Sequence, residues 1–415
     1  MRFEAPRGTA DVLPAAQPLR ERIVATAEGW ARRAGYGRIT LPTFEDTSLF
    51  ARSAGAGSDV VQKEMYTFTD RADRSLTLRP EGTAQVVRAY LEHGQQRAPQ
   101  PFKAFYTCPM FRYAAPQKGR LREFWQVGLE AIGSADAALD AEVVALVDAI
   151  LRELGIDRIR LELNSIGCRA CRPAYLDELR AFLVANDAGL DEDARRKAET
   201  SPLRVFDSKS ADVQALLRGA PTIAERLCEA CREHFATVRG DLDALGVAYV
   251  LAPTLVRGLD YYTRTVFEVV DEGLDAAQST ICAGGRYDQL VEELGGPSTP
   301  GIGWAAGIER LTLSLLARGA GEAPPAGIDV FLAVEEPARR AELVPLLHRL
   351  RASRAADTDY AGRSLKGQLT QAGRLGARLT VVARGDGFVV REHGVQDEVF
   401  TTVADLEAAL ERRLA

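Results

Sequence analysis

Three stretches of this chain place arginines and carboxylates inside sequence that otherwise reads as β-strand. They are FRYAAPQKGRLREFWQVGLE (111–130), LVRGLDYYTRTVFEV (255–269) and GIGWAAGIERL (301–311). An isolated buried charge is costly, so charged groups that enter a sheet must be paired or must line a cleft. The chain is therefore expected to fold around a polar cleft formed on a sheet.

The surrounding pattern predicts an α+β fold in which helices flank an antiparallel sheet. Strand-like runs occur at 38–46, 75–80, 103–113 and 122–133, and helices fit 18–34, 83–92 and 139–154. Strands joined by hairpins and long connections favour this fold over regular βαβ winding. Residues 165–245 have a mostly helical pattern, and the strand-like pattern returns at 247–271. The middle segment is therefore predicted to be a helical insertion in the sheet domain.

A second domain is expected at the C-terminus. The segment ARGAGEAPPAG (317–327) is rich in Gly, Pro and Ala, which is typical of a linker. After it, strands and helices alternate, as in a small α/β domain. We therefore predict a domain at 1–325, which includes the insertion at 165–245, and a second domain at 326–415.

Composition and charge restrict the classes of protein. The formal net charge of −6 argues against a general nucleic-acid coat protein. No basic region followed by an apolar stretch marks the N-terminus, and no apolar run approaches the roughly 20 residues of a membrane span. A cytoplasmic protein with no membrane partner is expected. Between 339 and 391, 11 basic residues face 4 acidic ones, a local balance of +7, which fits either a solvated helical face or contact with nucleic acid.

The available chemistry is that of arginine rather than histidine. The sequence has no GxxxxGK[ST] loop, no strand-linked GxGxxG and no HExxH, and its four histidines are isolated. Arg112, Arg257 and Arg310 lie in the three charged stretches. A planar, permanently charged guanidinium suits a reaction between two anions, such as attack of a carboxylate on a phosphate. Taken alone, each arginine is more often a surface or salt-bridged residue, whereas three together in sheet segments favour a shared site.

Two of these stretches resemble signature motifs of one enzyme family. FRYAAPQKGRLREFWQVGLEAIG (111–133) resembles motif 2 of the class II aminoacyl-tRNA synthetases in its histidine-specific form, and GIGWAAGIERL (301–311) resembles motif 3. RITLPTFED (38–46), with Pro42, occupies the place of motif 1, which builds the dimer interface. These motifs alone leave several amino-acid specificities open.

The specificity is indicated by three further stretches. LVRGLDYYTRTVFEV (255–269) resembles the family's histidine-recognition motif, and LRPEGTAQ (78–85) and AGGRYDQL (283–290) agree with it. The resemblance covers nearly the whole chain. It implies a histidine–tRNA ligase that activates L-histidine with ATP and Mg²⁺ and transfers it to tRNA(His). It also implies a homodimer and a C-terminal anticodon-binding domain.

Three other functions fit parts of the sequence. The first is a non-catalytic, synthetase-like regulatory subunit of histidine biosynthesis, a class that usually loses the RGLDYY arginine, parts of motif 2 and the anticodon domain. Ala114 and Ala115, which depart from motif 2, count in its favour. The second is a synthetase specific for threonine, proline or glycine, and the third is a purely nucleic-acid-binding module. Arg112, Arg257 and Arg310 are all present here, which favours the catalytic interpretation.

The resemblance also implies a histidine site. Its expected residues are Glu81, Thr83, Arg112, Gln126, Glu130, Arg257, Tyr261 and Tyr262. Glu130 and Tyr262 are expected at opposite nitrogens of the imidazole, which in its neutral form has one N–H donor and one acceptor. If Tyr261 and Tyr262 continued a strand, their side chains would point to opposite faces, and Tyr261 would be a core aromatic residue.

The remaining expected roles concern ATP and catalysis. Arg112, Arg120, Phe124 and Arg310 are the expected ATP-binding residues, and Arg112 and Arg257 the expected catalytic ones. The sequence departs from the family at Ala114 and Ala115, where motif 2 usually has a glutamate followed by a basic residue. That glutamate helps to position adenine, so weaker ATP binding, or a backbone substitute for the glutamate, is expected.

Two CxxC pairs bracket the helical insertion. They are Cys168 with Cys171 and Cys228 with Cys231, whereas Cys108 and Cys282 stand alone. Two such pairs can supply a tetrahedral all-thiolate structural zinc site. Their separation exceeds that of compact zinc ribbons, so four reduced thiols at the base of the insertion fit the spacing equally well.

Overall fold

The chain forms two compact units in the computed structural model. The structure describes residues 3–53, 55, 60–117, 119–275, 279–320 and 327–414. One unit comprises Met1–Val12 and Leu19–Gly321, and the other comprises Leu13–Pro18 and Glu322–Ala415. Most of the linker predicted at 317–327 lies outside the described residues. Among the described helices, none has both the length and the apolar character needed to cross a membrane.

Strands and helices follow one another in this order along the described residues. The strands are β1 (Gly37–Arg38), β2 (Phe44–Asp46), β3 (Tyr66–Thr69), β4 (Ser75–Leu78), β5 (Phe102–Phe111), β6 (Glu123–Ile132), β7 (Ile159–Ser165), β8 (Val250–Leu251), β9 (Thr263–Asp271), β10 (Thr280–Arg286), β11 (Gly301–Gly307), β12 (Val330–Val334), β13 (Ala356–Thr358), β14 (Leu379–Arg384), β15 (Gly387–Glu392) and β16 (Glu398–Phe400). The α-helices are α1 (Gln17–Arg33), α2 (Thr47–Ser53), α3 (Thr83–Glu92), α4 (Ala137–Leu154), α5 (Arg172–Ala185), α6 (Glu192–Thr200), α7 (Ala211–Leu217), α8 (Glu229–Ala244), α9 (Leu290–Glu293), α10 (Ile308–Ala317), α11 (Arg340–Leu350), α12 (Leu365–Arg374) and α13 (Val403–Leu414). Shorter helical turns cover Pro14–Ala16, Val60–Glu64, Gln95–Arg97, Asp187–Gly189, Pro202–Asp207, Ile223–Arg226 and Pro337–Arg339.

The large unit is built on a sheet in the order β1-β5-β6-β11-β10-β9-β7-β8. Its inner pairs are antiparallel, which confirms the predicted sheet, and its longest pair, β5 with β6, runs in register from Phe102 opposite Ile132 to Phe111 opposite Glu123. The two edge strands are parallel to their neighbours. A parallel neighbour requires a long crossover connection, and the helical insertion provides one for β8.

Helix α4 buries its apolar face against this sheet. Val143 and Val147 are at most 2% exposed and belong to one core with Phe267 of β9. The Asp136 side chain accepts a backbone N–H of the first turn, and Gly155, with φ of 82°, ends the helix in the left-handed region. Each fully buried aliphatic side chain of this kind stabilises the fold by about 1.5–3 kcal/mol. The predicted helix at 139–154 is confirmed.

The strand predicted at 38–46, interrupted by Pro42, is only partly present. The segment divides into β1, which pairs with β5, and β2, which pairs with β4 in a separate three-stranded sheet. Between them, the carbonyls of Leu41 and Pro42 accept hydrogen bonds from Arg79 Nη1 at 2.8 and 3.0 Å. Proline cannot donate to a ladder, so the chain leaves one sheet here and a buried arginine satisfies its carbonyls.

Helices α5–α8 occupy the segment predicted to be a helical insertion, and they enclose a small core of their own. The sheet pattern predicted at 247–271 is only partly present. Strands β8 and β9 cover Val250–Leu251 and Thr263–Asp271, and residues 252–262 form a loop between them. The RGLDYY sequence therefore lies in a loop rather than in a strand.

The C-terminal unit has a sheet in the order β13-β12-β14-β15-β16 together with α11–α13. This agrees with the predicted alternation of strands and helices. Ion pairs occupy many basic residues of the 339–391 segment, and such pairing reduces the charge available to a partner. The paired residues are Arg339, Arg349, Arg351, Arg363, Arg378, Arg384 and Arg391.

Candidate active site

A cavity of about 280 Å³ opens on one face of the central sheet. Strands β5, β6, β10 and β11, the loop at 252–262, the start of α3 and the start of α10 all contribute to its wall. The predicted site residues on this wall are Glu81, Thr83, Arg112, Arg120, Phe124, Gln126, Arg257, Tyr261, Tyr262 and Arg310. Residues from distant parts of the sequence therefore meet at one cleft.

Arg112 directly follows β5 at the turn into motif 2. Its backbone N–H donates to the carbonyl of Arg122 at 2.8 Å, and its Nε donates to the carbonyl of Pro80 at 2.8 Å. The guanidinium carbon lies 5.5 Å from the centre of the Phe124 ring. Burial lowers the pKa of Arg112, an effect that the nearby carboxylates of Glu64 and Glu81 oppose. The side chain is thus held rigidly within a site suited to an anion.

Arg257 comes from the loop that precedes β9. Its Nη1 lies 2.8 Å from the carboxylate of Glu268, which projects from β9. Burial lowers the pKa of Arg257, but the combined effect of the surrounding acidic groups, of which Glu268 contributes most, outweighs it and the net shift is upward. Its buried Nε has no hydrogen-bond partner among the described residues. An oriented, unsatisfied donor of this kind is suited to a ligand oxygen.

Arg310 lies in the first turn of α10, immediately after β11. Its Nη1 donates to the backbone carbonyl of Thr280, and its Nε lies 3.4 Å from the carbonyl of Gly119. Burial, followed by repulsion from Arg120, lowers the pKa of Arg310. Arg120 pairs with Glu64 at 2.9 Å. Two guanidinium groups, one of them paired with Glu64, therefore lie at this end of the cavity, and guanidinium groups are suited to phosphate.

Glu81 and Thr83 form the turn that begins α3. The carboxylate of Glu81 accepts backbone N–H bonds from Thr83 at 2.6 Å and from Ala84 at 3.0 Å. Burial raises the pKa of Glu81, although these two donors oppose the shift. Negative charge at a helix N-terminus is stabilised by the helix dipole, so the carboxylate can remain ionised next to a cationic ligand group.

Glu130 lies one layer behind the cavity wall. Its Oε1 accepts a hydrogen bond from Thr83 Oγ1 at 2.7 Å, and its Oε2 accepts one from Tyr287 at 2.7 Å. The Tyr106 hydroxyl lies 3.4 Å from Oε1. Burial raises the pKa of Glu130 from an ordinary value of 4.5 to about 8. In this conformation Thr83 and Tyr106 separate Glu130 from the cavity.

Two glycines make room for this buried arrangement. A Cβ atom at Gly128 would lie 2.5 Å from the Tyr106 ring, and one at Gly303 would lie 1.8 Å from Glu130 Oε2. Both distances are far below van der Waals contact. Glu130 and Gly303 are direct partners in the β6–β11 register. Glycine at these strand positions thus allows a tyrosine and a carboxylate to pack beneath the cavity.

Tyr261 and Tyr262 both face the cavity. Their ring centres are 4.7 Å apart, and the side chains are 4% and 8% exposed. The prediction that Tyr261 points to an opposite face is wrong, because the two residues lie in the loop before β9 and strand alternation does not apply to them. Arg172 Nη2 holds the Tyr262 carbonyl at 2.5 Å.

Gln126 projects from β6 towards the same space. Its side-chain oxygen is buried and has no hydrogen-bond partner among the described residues. A buried acceptor normally finds a donor, because leaving it unpaired costs about 1–3 kcal/mol. The ammonium group of an amino acid is a suitable donor for it.

Several cavity residues were missed by the sequence reasoning. Tyr106 and Glu309 line the wall, and Glu64 and Glu268 pair with arginines there. Glu309 accepts from Arg20 at 3.0 Å and from the Trp125 N–H at 2.9 Å. The Gly-x-Glu-Arg ending of 301–311 was a signal for Glu309. No local pattern distinguishes Tyr106 from an ordinary core tyrosine.

The departure from motif 2 also lies at this cavity. Ala114 lines the wall and is 6% exposed, whereas Ala115 is exposed. The Ala114 carbonyl accepts from Arg122 Nε at 3.3 Å. Position 114 thus faces the site but contributes no carboxylate.

The four cysteines of the two CxxC pairs come together away from this cavity. Their four Sγ atoms all lie within 4.8 Å of one another. Cys108 and Cys282 are buried elsewhere, and Cys282 lies in the cavity wall.

Comparison with known proteins gives a consistent result. The histidyl-tRNA synthetase family model matches residues 8–311. Histidine–tRNA ligase of Rhodococcus erythropolis is 51% identical over 384 residues, covering 92% of this chain and 89% of the relative. The Mycobacterium tuberculosis (strain H37Rv) histidine–tRNA ligase is 50% identical over 385 residues, covering 92% and 90%. The crystal structure of apo S. aureus histidyl-tRNA synthetase is 37% identical, with a TM-score of 0.81 over 99% of both chains. This chain belongs to the histidyl-tRNA synthetase family.

Proposed function

We propose that this chain is a histidine–tRNA ligase that forms histidyl-adenylate from L-histidine and ATP and transfers the histidyl group to tRNA(His). The observation that carries the proposal is that Arg112, Arg257 and Arg310 line one cavity together with Tyr262. Relatives about 50% identical over 92% of the chain are histidine–tRNA ligases. The same residues disfavour the regulatory subunit, which has no need of phosphate-binding arginines.

In the first step a carboxylate oxygen of histidine attacks the α-phosphorus of ATP. The bond from phosphorus to the bridging oxygen breaks, and diphosphate leaves with the electron pair. Both reactants are anions, so the main requirement is to hold them in line and to balance the charge that develops on the phosphoryl oxygens. We assign this role to Arg112 and Arg257. No general base is needed, because the attacking carboxylate is already ionised.

The ATP end of the site is assigned to the cluster around Arg310. Arg120 and Arg310 contact the phosphates, and Phe124 stacks on adenine. Mg²⁺ bound with ATP would supply further positive charge to the phosphates. Mg²⁺ takes oxygen ligands and commonly binds one or two carboxylates; of the two carboxylates on this wall, Glu81 and Glu309, the one beside Arg310 is Glu309, and it would hold the ion.

Histidine recognition is assigned to the opposite end of the cavity. Glu81, Thr83 and Gln126 receive the amino group and orient the carboxylate, and Tyr261 and Tyr262 flank the ring. Direct contact between Glu130 and the imidazole requires Glu130 to exchange the Thr83 hydroxyl for the ring N–H when histidine binds. A site with a matched acceptor and hydroxyl rejects side chains that lack both polar groups.

In the second step the terminal ribose hydroxyl of tRNA(His) attacks the carbonyl carbon of the adenylate. The bond from that carbon to the phosphate oxygen breaks and AMP leaves, with a phosphate oxygen accepting the hydroxyl proton. We assign anticodon contact to the C-terminal unit. The basic residues of its 339–391 segment that appear in no ion pair among the described residues are Arg340, Arg354, Lys366 and Arg374. The ribosome uses the aminoacylated tRNA that this reaction produces, so the cytoplasm is the expected location.

We also propose that the enzyme is a homodimer. Phe44 and Phe68 on the three-stranded sheet are 51% and 43% exposed, and their rings pack edge to face with their centres 6.2 Å apart. This pair lies beside Pro42 of motif 1. Paired exposed aromatics are typical of a protein interface, and light scattering of the purified protein measures the oligomeric state directly.

The proposed activity is tested by ATP–diphosphate exchange with each of the amino acids in turn. Exchange that depends on histidine alone, followed by charging of tRNA(His), is the expected result. Absence of histidine-dependent exchange from well-folded protein would contradict the proposal. Exchange with threonine, proline or glycine would indicate a different synthetase.

A further inference from the structure

The two CxxC pairs meet at the base of the helical insertion, although 56 residues of sequence separate Cys171 from Cys228. Cys168 and Cys171 lie in the turn between β7 and α5, and Cys228 and Cys231 lie at the start of α8. Each pair forms a tight turn: the Arg172 N–H donates to the Cys168 carbonyl at 2.9 Å, and the Cys231 N–H donates to the Cys228 carbonyl at 3.0 Å. Two similar turns therefore present their thiols to one point.

The distances between the sulfur atoms correspond to a single metal ion. Cys168 Sγ lies 3.8 Å from both Cys171 Sγ and Cys228 Sγ, and Cys171 Sγ lies 3.9 Å from Cys231 Sγ. In a regular tetrahedron with zinc–sulfur bonds of about 2.3 Å, the sulfur–sulfur edge is about 3.8 Å. A disulfide would bring one pair to about 2.05 Å and leave the other two thiols without a role.

The surroundings of the sulfurs also fit a closed metal site. Cys171 and Cys231 are buried, and Cys168 and Cys228 are half-buried. The Cys168 N–H donates to Cys171 Sγ at 3.2 Å. At Gly167, with φ of 69°, a Cβ atom would lie 2.8 Å from that same sulfur. The backbone is thus arranged to approach and hydrogen-bond a thiolate.

A half-buried cation lies next to the cluster. It is Arg172, which follows Cys171 directly in the sequence. Arg172 donates to the carbonyls of Ile166 at 3.1 Å and of Tyr262 at 2.5 Å. Four thiolates around one divalent ion carry a net charge of −2, and a neighbouring guanidinium reduces the cost of burying it.

We propose that Cys168, Cys171, Cys228 and Cys231 bind one structural zinc ion that fastens the helical insertion to the catalytic sheet. An all-thiolate tetrahedral set selects zinc or iron–sulfur chemistry. The cysteine sulfurs of a multi-iron cluster lie farther apart than the 4.8 Å limit found here, so the spacing fits a single ion, and metal analysis distinguishes zinc from a single iron. All four positions are filled by protein, which identifies a structural centre rather than a catalytic one. Through Arg172, the ion also braces the backbone of Tyr262 in the substrate cavity.

The test is metal analysis of the full-length protein purified without chelator. We expect about one zinc ion per chain, released when about four thiol equivalents react with an organomercurial reagent. Cys168→Ser and Cys228→Ser should each retain less than about one fifth of the wild-type zinc. Cys108→Ser makes the same chemical change at a buried cysteine outside the cluster and should retain all of it.

A second measurement covers the case in which the serine variants do not fold. Wild-type protein produced with Co²⁺ should show the visible bands and sulfur-to-metal charge-transfer bands of tetrahedral thiolate cobalt. Folded wild-type protein without stoichiometric metal would overturn the proposal, as would iron in place of zinc or a disulfide within the cluster. Because these measurements need neither histidine nor tRNA, their outcome is independent of the proposed ligase activity.

Discussion

Arg257, in the wall of the cavity, places its Nη1 2.8 Å from Glu268 Oε2, while its Nε has no hydrogen-bond partner among the described residues. One edge of the guanidinium is therefore anchored to the sheet, and another remains available to a ligand. Such anchoring holds the donor in position before the substrate arrives, and a pre-organised donor stabilises transition-state charge most effectively.

Replacement of Arg257 by alanine is expected to slow adenylate formation by roughly 10²–10³-fold, the usual effect of removing one transition-state donor. Arg257→Lys should keep only part of the wild-type rate, because lysine retains the positive charge but lacks the planar guanidinium and its paired N–H donors. Histidine-dependent diphosphate exchange measures the effect. Arg180→Ala, which removes a surface arginine 3.2 Å from Asp177, is the matched control and should not change the rate. A wild-type rate for Arg257→Ala would remove this residue from the mechanism.

Tyr262→Phe is expected to raise the KM for histidine by about tenfold, the effect of losing one hydrogen bond of roughly 1.4 kcal/mol. The ring would remain in the cavity wall, so kcat should change little. Exchange kinetics at varied histidine concentration separate the two constants. Tyr360→Phe, at a side chain that is 66% exposed, serves as the control. An unchanged KM would mean that the Tyr262 hydroxyl makes no hydrogen bond to the imidazole of histidine.

Glu130 is expected to make the folded protein less stable as the pH rises from about 4.5 to about 8. Burial raises its pKa from 4.5 to about 8, so between these values the folded chain holds a proton that the unfolded chain releases. The free energy of unfolding therefore falls with pH across this window and levels off above it. Glu130→Gln cannot titrate and removes this dependence.

Thermal melting of both proteins between about pH 5 and pH 9 measures this contribution. The difference between the Tm of Glu130→Gln and the Tm of the wild type should increase, in favour of the variant, as the pH rises. The substitution also changes the hydrogen bonds with Thr83 and Tyr287. Where that cost is the same at each pH, it cancels when the Tm differences at two pH values are compared. Glu92→Gln, on the exposed end of α3, should melt in parallel with wild type. A Tm difference that did not vary with pH would contradict the raised pKa.

Ala114→Glu is expected to lower the KM for ATP several-fold, by about 1 kcal/mol of new hydrogen bonding. Position 114 faces the cavity, where motif 2 usually carries a glutamate that positions adenine. Ala115→Glu places the same charge at the neighbouring exposed position and should leave the KM for ATP unchanged. If the two variants behave alike, the missing carboxylate is not what determines ATP affinity.

Local patterns were sufficient to predict most of the elements. Helices α3 and α4 and strands β5 and β6 lie within about two residues of their predicted positions. The periodic pattern of apolar residues along one helix or strand depends only on that element's own residues, so the sequence alone predicts it. The prediction for 38–46 was only partly right, because the break between its two strands involves a remote residue. Arg79 donates hydrogen bonds to the carbonyls of Leu41 and Pro42.

The sequence by itself determined which chemical groups the chain possesses and, by resemblance, which enzyme family it joins. Only the tertiary structure decided how those groups are paired: Arg257 with Glu268, Glu130 behind Thr83, and both tyrosines on one wall. It likewise brought the four cysteine sulfurs within 4.8 Å. Such distances depend on strand register and crossover connections between remote segments, which the order of residues along the chain does not reveal.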